Sequence, residues 1–234
     1  MLWSAAICAA SVLIGIYALF ANRDSGTMQV VFGGWCLVPV TVPPFLAMVT
    51  AQIAQRKLIA SDFELVYVTP LSNRQLVQWL VVLGLQHTRN WIRVVMGITA
   101  VLVVIGTYLA TYDNLISCLV VARGGWAECQ IIQPLGWMVF GTLIHHVMLF
   151  VNLWIAMLSA ATLGLMLSVW SRGSYIAHYF AAFATAICIG IGMVSVVNRP
   201  LQEAFRNNIQ IMLWQLVLIG VCYVVASVGI RRLR

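Results

Sequence analysis

The most regular feature of this chain is the alternation of long apolar runs with short polar segments. A helix that crosses the hydrocarbon core of a bilayer needs about 20 mostly apolar residues. Six runs reach this length, and polar or charged residues bound each of them. The pattern predicts an all-α membrane protein with one transmembrane domain over residues 1–234, its spans at about 2–20, 30–53, 94–111, 138–168, 175–197 and 209–230.

Two of these runs need an interpretation. The first has no Lys or Arg ahead of its apolar core, so we expect a membrane span and not a signal peptide. The fourth, from Leu135 to Trp170, carries no charge and is too long for one straight span. One long tilted or broken helix keeps six spans and puts both termini on one side. Two separate spans would reverse the orientation of everything downstream.

Composition and charge set the protein class and its orientation. Apolar residues make up 62% of the chain and charged residues 8%, which excludes a soluble domain, a disordered chain and a coiled coil. If the chain has six spans, the basic residues behind the net charge of +7 can be assigned to the two sides of the membrane. More basic residues are predicted on the inner side of the membrane than on the outer side. The inner residues are Arg56, Lys57, Arg74, Arg89, Arg93, Arg172, Arg231, Arg232 and Arg234, and the outer residues are Arg23, Arg123, Arg199 and Arg206. The positive-inside rule then predicts that both termini are cytoplasmic. We expect a multi-pass protein of a bacterial plasma (inner) membrane, and no nucleic-acid partner.

Several kinds of chemistry are not predicted for this chain. No charged residue lies well inside a predicted span, which argues against an ion-coupled transporter. The only lysine, Lys57, has no phosphate-binding loop around it, so we expect no catalytic site and no ATP hydrolysis here. The chain contains no C-x-x-C motif, so we do not predict a metal site. Cys118 and Cys129 share a loop predicted to lie outside, where either a disulfide or two unpaired thiols can exist.

Polar and small residues inside the spans favour helix packing. Ala160, Gly164 and Ser168 recur every four residues and form one small face of the fourth span. Either His145 or His146 could in principle hold a haem together with His178, but we expect the span histidines to bond to neighbouring helices or to sit near the interface. Asn152 fits the same role.

The first inner loop is the most informative segment. Phe63, Val66 and Tyr67 share one face of a short helix over residues 61–72, in which Asp62 stands in the first turn and Pro70 ends the helix. The next segment, Asn73 to Trp91, is either an interfacial helix or the start of the third span.

This loop carries a resemblance. Glu64-Leu65 followed by Thr69-Pro70-Leu71-Ser72, after the second of six spans, resembles ABC-2-type transporter permeases. A weaker match is Gly164-Leu165-Met166-Leu167-Ser168, followed by Arg172 and Ala177. In that family the segment at 61–72 is a cytoplasmic coupling helix that docks on an ATP-binding subunit.

The resemblance implies a permease subunit of an ATP-driven exporter. The partners would be an ABC ATP-binding subunit, which carries the ATP and Mg, and a second permease subunit, identical or related. The implied docking residues are Arg56, Asp62, Phe63, Glu64, Tyr67, Thr69, Pro70, Leu71 and Ser72. A non-transporting scaffold subunit and a haem-handling membrane protein stay open as alternatives.

Overall fold

The computed structural model describes residues 41–57, 71–121, 135–171, 176–190, 192 and 201–233, and within these ranges the regular structure is entirely helical. The predicted span at 2–20 and residues 61–70 of the predicted coupling helix lie outside the described residues. The helices are α1 (residues 41–57), α2 (Asn73–His87), α3 (Arg89–Val121), α4 (Leu135–Trp170), α5 (Ile176–Thr185, followed by a π-helical turn at Ala186–Gly190) and α6 (Leu201–Leu233).

Three of these helices are long and apolar enough to cross a membrane. The segments that meet this criterion are Arg89–Tyr112 of α3, Val139–Trp170 of α4 and Phe205–Arg232 of α6. The prediction of a helical chain with segments able to span a membrane is therefore confirmed for the part of the chain that is described. A shorter apolar helical stretch, Ile176–Ile189, lies between the last two.

The ambiguous fourth run is one continuous helix, α4. Its 36 residues correspond to about 54 Å of helix axis, which is longer than the ~30 Å hydrocarbon core. The alternative of two separate spans is thus not what the chain adopts. Because no proline or charge interrupts the run, every backbone hydrogen bond can continue from one turn to the next.

Contacts along α4 fix the directions of its neighbours. The Thr111 hydroxyl of α3 lies 2.9 Å from that of Thr142, and Gly106 faces the ring of His146, so α3 runs antiparallel to α4. In contrast, α6 runs parallel to α4. Asn208 bonds to Asn152 near one end, and the Trp170 indole donates to the Val225 carbonyl at 3.1 Å near the other.

Because α4 and α6 run parallel, the chain between them has to return along the length of α4. Asn152 and Trp170 are about 27 Å apart along the axis of α4, close to the thickness of a hydrocarbon core. The chain leaves α4 at Trp170 and must return over this distance before it reaches Asn208. Helix α5 and its π-helical turn occupy part of this return path.

The core lies where α1 and α2 pack on α4. Leu76, Val77 and Leu80 form the buried face of α2, and they share one apolar cluster with Ala47 of α1 and Met157 of α4. Gly84 of α2 lies directly against Thr50 of α1. The Tyr223 hydroxyl of α6 donates to the Arg74 carbonyl of α2 at 3.2 Å. Helix α2 is thus tied to α1, α4 and α6.

Two segments that look polar are helical instead. Residues Tyr112–Val121 continue α3, so the loop expected from Tyr112 to Pro134 starts later than predicted. Residues Leu201–Asn208, expected to be a loop, form the first two turns of α6. In the segment Asn73–Trp91, α2 and α3 meet at Thr88, whose backbone leaves the helical conformation at φ −94° and ψ 5°. The Thr88 hydroxyl and backbone N–H both donate to the Gly84 carbonyl.

Candidate functional site

The basic residues of the described chain gather at one end of the bundle, the end that holds Trp170. The Arg232 guanidinium lies 5.1 Å from the centre of the Trp170 ring. The Arg74 carbonyl accepts a hydrogen bond from Tyr223, which is nine residues before Arg232 on α6. Arg56 borders a cavity together with His87, beside this end. Arg206 stands at the opposite end, two residues before Asn208. We call the Trp170 end the basic end.

The described residues on either side of the predicted coupling segment lie at or beside this basic end. Asp62, Phe63, Glu64, Tyr67, Thr69 and Pro70 lie outside the described residues. Their flanks are described: Arg56 is exposed near the end of α1, and Leu71 is half-buried just before α2. Both α1, which precedes the segment, and α2, which follows it, are packed into the core.

Ser72 has a structural role that the resemblance does not include. Its hydroxyl accepts the backbone N–H of Gln75 at 3.3 Å, and the Gln75 side-chain oxygen accepts the Ser72 N–H at 2.8 Å. This reciprocal pair is a capping box and satisfies two N–H groups at the start of α2. The sequence carries the signal as Ser-x-x-Gln at residues 72–75, ahead of the apolar positions of α2.

The small face of α4 brings α1 into close backbone contact. Ala160 and Ser168 are buried, and Gly164 between them lies against the backbone of Ala47. A methyl group at Gly164 would stand 3.0 Å from the Ala47 Cα and closer still to its carbonyl oxygen. Only glycine allows α1 and α4 to approach this closely.

A line of neutral polar side chains runs between α4 and α6. His145, Asn152 and Ser159 are seven residues apart on α4, and Asn208, Gln215 and Cys222 repeat the same spacing on α6. All six are buried, at 8% exposure or less. We call these residues the polar seam. A seven-residue spacing on both helices keeps one face of each turned toward the other in a parallel pair.

The best-paired part of the polar seam lies around Asn208. The Asn152 amide donates to the Asn208 side-chain oxygen at 2.5 Å, and the Asn208 amide nitrogen lies 3.4 Å from Nδ1 of His145. In His146, by contrast, the ring nitrogen Nδ1 lies 2.8 Å from the Thr142 carbonyl oxygen on the same helix. Hydrogen bonds of this kind between neutral groups hold membrane helices together at little desolvation cost.

Three polar atoms of the polar seam have no hydrogen-bond partner in the described part of the chain. They are the Asn152 side-chain oxygen and both amide atoms of Gln215. Asn152 was predicted to hold helices together, whereas Asn208 and Gln215 were not identified. The seven-residue spacing from Asn208 to Cys222 could have identified them, but the partner helix is not visible in a sequence.

The span histidines do not converge on a common centre. His145 pairs with Asn208 in the first third of α4. His178 is buried in the first turn of α5, beyond the other end of α4, with its ring centre 4.2 Å from that of Tyr179. Within the described ranges, no three His, Cys, Asp or Glu side chains are grouped to hold a metal ion.

The cysteines separate into two states. Cys118, near the end of α3, is disulfide-bonded, and its partner lies outside the described residues. The pairing of Cys118 with Cys129 therefore stays a prediction. Cys188 and Cys222 are free thiols.

Comparison with known proteins gives no relative from which a function could be transferred. The chain matches no protein-family model, no curated protein and no solved structure. A functional interpretation must therefore come from the residues and geometry described above.

Proposed function

We propose that this chain is the membrane-spanning permease subunit of an ATP-driven exporter, powered by a separate ATP-binding subunit. The observation that supports the proposal best is the position of α2. This helix follows directly after the predicted coupling segment and packs on α1, α4 and α6 at the basic end. A force applied to residues 61–72 therefore has a stiff path into three other helices.

The proposed mechanism uses α2 as a lever. Closure of the ATP-binding subunits pushes the coupling helix at 61–72, and Ser72 joins that segment to α2 through a capped helix start. Because Leu76, Val77 and Leu80 are fully buried, α2 cannot move without moving the helices beneath it. The spans then shift as rigid bodies and open the interface with the second permease subunit.

The docking contacts are expected in and beside residues 61–72. Glu64 and Arg56 supply the polar contacts, and Phe63 and Tyr67 supply apolar anchors. ATP and Mg are bound by the partner, and this chain contributes no catalytic group. A second permease subunit, identical or related, completes the pathway.

Two features support the orientation with the basic end in the cytoplasm. The positive-inside rule favours this side for the arginines of the basic end. The disulfide at Cys118 lies toward the opposite end of α3, and disulfides persist outside the cytoplasm. Together with the return path between α4 and α6, these features favour six spans with both termini cytoplasmic in a bacterial inner membrane.

Co-purification in a mild detergent tests the proposal. We expect the wild-type chain to bring down a protein with a phosphate-binding loop, and the Glu64→Arg variant to lose it. Glu203→Arg is the matched control, because it reverses an exposed acid at the start of α6, away from the basic end. Recovery of other membrane subunits without any ATPase would contradict the permease and favour the scaffold alternative.

A further inference from the structure

A cavity of about 360 Å³ lies at the basic end, between α1 and the break that separates α2 from α3. Its polar lining comes from Gln52, Arg56 and His87. Its apolar lining includes Phe45 and Trp91, whose ring centres are 5.9 Å apart. The volume falls in the range of about 300–1,000 Å³ that is common for ligand sites.

A second cavity of about 230 Å³ continues the first. It shares Phe45 and Trp91 with the first cavity and adds Thr41 and Val42 from the preceding turn of α1. The positions Phe45, Gln52 and Arg56 fall on one face of α1, because their spacings of seven and four residues are close to whole helical turns. The two cavities therefore form one groove along α1, which we call the α1 groove.

The α1 groove is amphipathic along its length. From Val42 to Arg56 it covers about 21 Å of helix axis, somewhat more than the ~15 Å depth of one hydrocarbon leaflet. Its lining changes from apolar at Val42 and Phe45 to polar and basic at Gln52 and Arg56. Trp91 is 62% exposed, as is common for tryptophan at the boundary between lipid tails and headgroups.

The charge of the α1 groove selects among amphiphiles. Its polar end carries Arg56 and His87, and no acidic side chain is among the described residues that line it. A guanidinium binds a phosphate with two parallel hydrogen bonds, and an imidazole N–H can add a third. A zwitterionic headgroup would bring its own cation close to Arg56 and lose part of this attraction.

We propose that the α1 groove is a binding site for one anionic phospholipid of the leaflet at the basic end. The lipid phosphate bonds to Arg56 and His87, and one acyl chain passes between Phe45 and Trp91 toward Val42. Such a lipid would fill the space between α1 and the α2–α3 break. The site does not depend on an ATPase partner, so its test is independent of the proposed function.

Native mass spectrometry of the purified full chain in detergent tests this proposal. The chain is titrated with phosphatidylglycerol and, separately, with phosphatidylcholine of the same acyl chains. We expect one phosphatidylglycerol per chain to bind at least about tenfold more tightly than phosphatidylcholine. The double variant Arg56→Gln/His87→Gln should lose most of this preference, because the guanidinium and the imidazole that bind the phosphate are removed.

Two controls make the result decisive. Arg231→Gln removes an exposed arginine that does not line the α1 groove, and it should keep the preference. Glycerol phosphate at millimolar concentration should not displace the lipid, because a free headgroup lacks the acyl chain that fills the apolar half. Circular dichroism of the variants checks that they remain folded.

Three outcomes would overturn the proposal. One is equal binding of the two lipids by the wild-type chain, which would also result if other parts of the protein fill the groove. Another is an unchanged preference in the folded double variant. The third is an equal loss of preference in Arg231→Gln, which would indicate a diffuse attraction of the basic end for anionic lipid.

Discussion

Adding a single methyl group at Gly164 should separate α1 from α4. In the Gly164→Ala variant, the new Cβ would stand 2.9 Å from the Ala47 carbonyl carbon and 3.0 Å from the Ala47 Cα. Carbon atoms in contact are normally about 3.5–4.0 Å apart. The two helices must therefore move apart by roughly 0.5–1 Å, because the atoms in the way belong to the backbone and cannot rotate aside.

The size of the effect follows from two opposing contributions. Alanine favours a helix over glycine by about 1 kcal/mol. Overpacking of a well-packed core costs about 1–3 kcal/mol, and here the upper half of that range applies because a whole helix must shift. We expect Gly164→Ala to lower the free energy of unfolding by about 1–2 kcal/mol, which is roughly a 5–30-fold change in the folded-to-unfolded ratio.

Reversible unfolding in mixed micelles of mild detergent and dodecyl sulfate, followed by circular dichroism, measures this change. Gly220→Ala is the matched control, because Gly220 lies within α6 and a methyl group there meets nothing within 4 Å. The control should be neutral or stabilised by up to about 1 kcal/mol. If Gly164→Ala is as stable as Gly220→Ala, the close approach of α1 to α4 is incorrect.

Three further predictions concern the other contacts that hold the bundle. Ser72→Ala should raise the hydrogen-exchange rates of the first turn of α2, at a cost of about 1 kcal/mol, and Ser72→Asp should restore most of the protection. A double-mutant cycle of Asn152→Leu and Asn208→Leu should give a coupling free energy of about 0.6–1.7 kcal/mol in the same unfolding assay. Trp170→Phe should destabilise the chain by about 1 kcal/mol through loss of the indole hydrogen bond, whereas Trp214→Phe, at a side chain 74% exposed, should have little effect.

Each of these has an outcome that contradicts it. Unchanged exchange at the start of α2 in Ser72→Ala would mean that the capping box contributes nothing. Additive effects of the two asparagine variants would mean that their side chains do not pair. Equal stability of Trp170→Phe and Trp214→Phe would mean that the hydrogen bond from Trp170 to α6 does not stabilise the chain.

The membrane-crossing helices could be predicted well because their signal is local. Each of the runs in α3, α4 and α6 is mostly apolar, because side chains that face lipid cannot have their polar groups satisfied there. Sequence reasoning was less successful at helix ends. The stretch from Leu201 to Asn208 has the composition of a loop, yet it is helical, and the Asn208 side chain at its end is buried against Asn152.

At the candidate site, too, some features could be predicted from the sequence and others could not. The small residues Ala160, Gly164 and Ser168 were identified from their spacing, but the sequence does not show that Ala47 is the neighbour of Gly164. The α1 groove was not predicted at all. It joins Arg56 to His87 across 30 intervening residues, and no periodic pattern relates positions so far apart.

The sequence alone determined that this is a helical chain with apolar segments long enough to span a membrane and an overall excess of basic residues. Both properties are sums over local composition, and the bilayer imposes them directly on each segment. Tertiary structure alone decided that α4 and α6 run parallel, that the polar seam pairs Asn152 with Asn208, and that α2 packs on three helices. These features depend on which helix faces meet, and the contact free energies that decide this belong to pairs of distant residues.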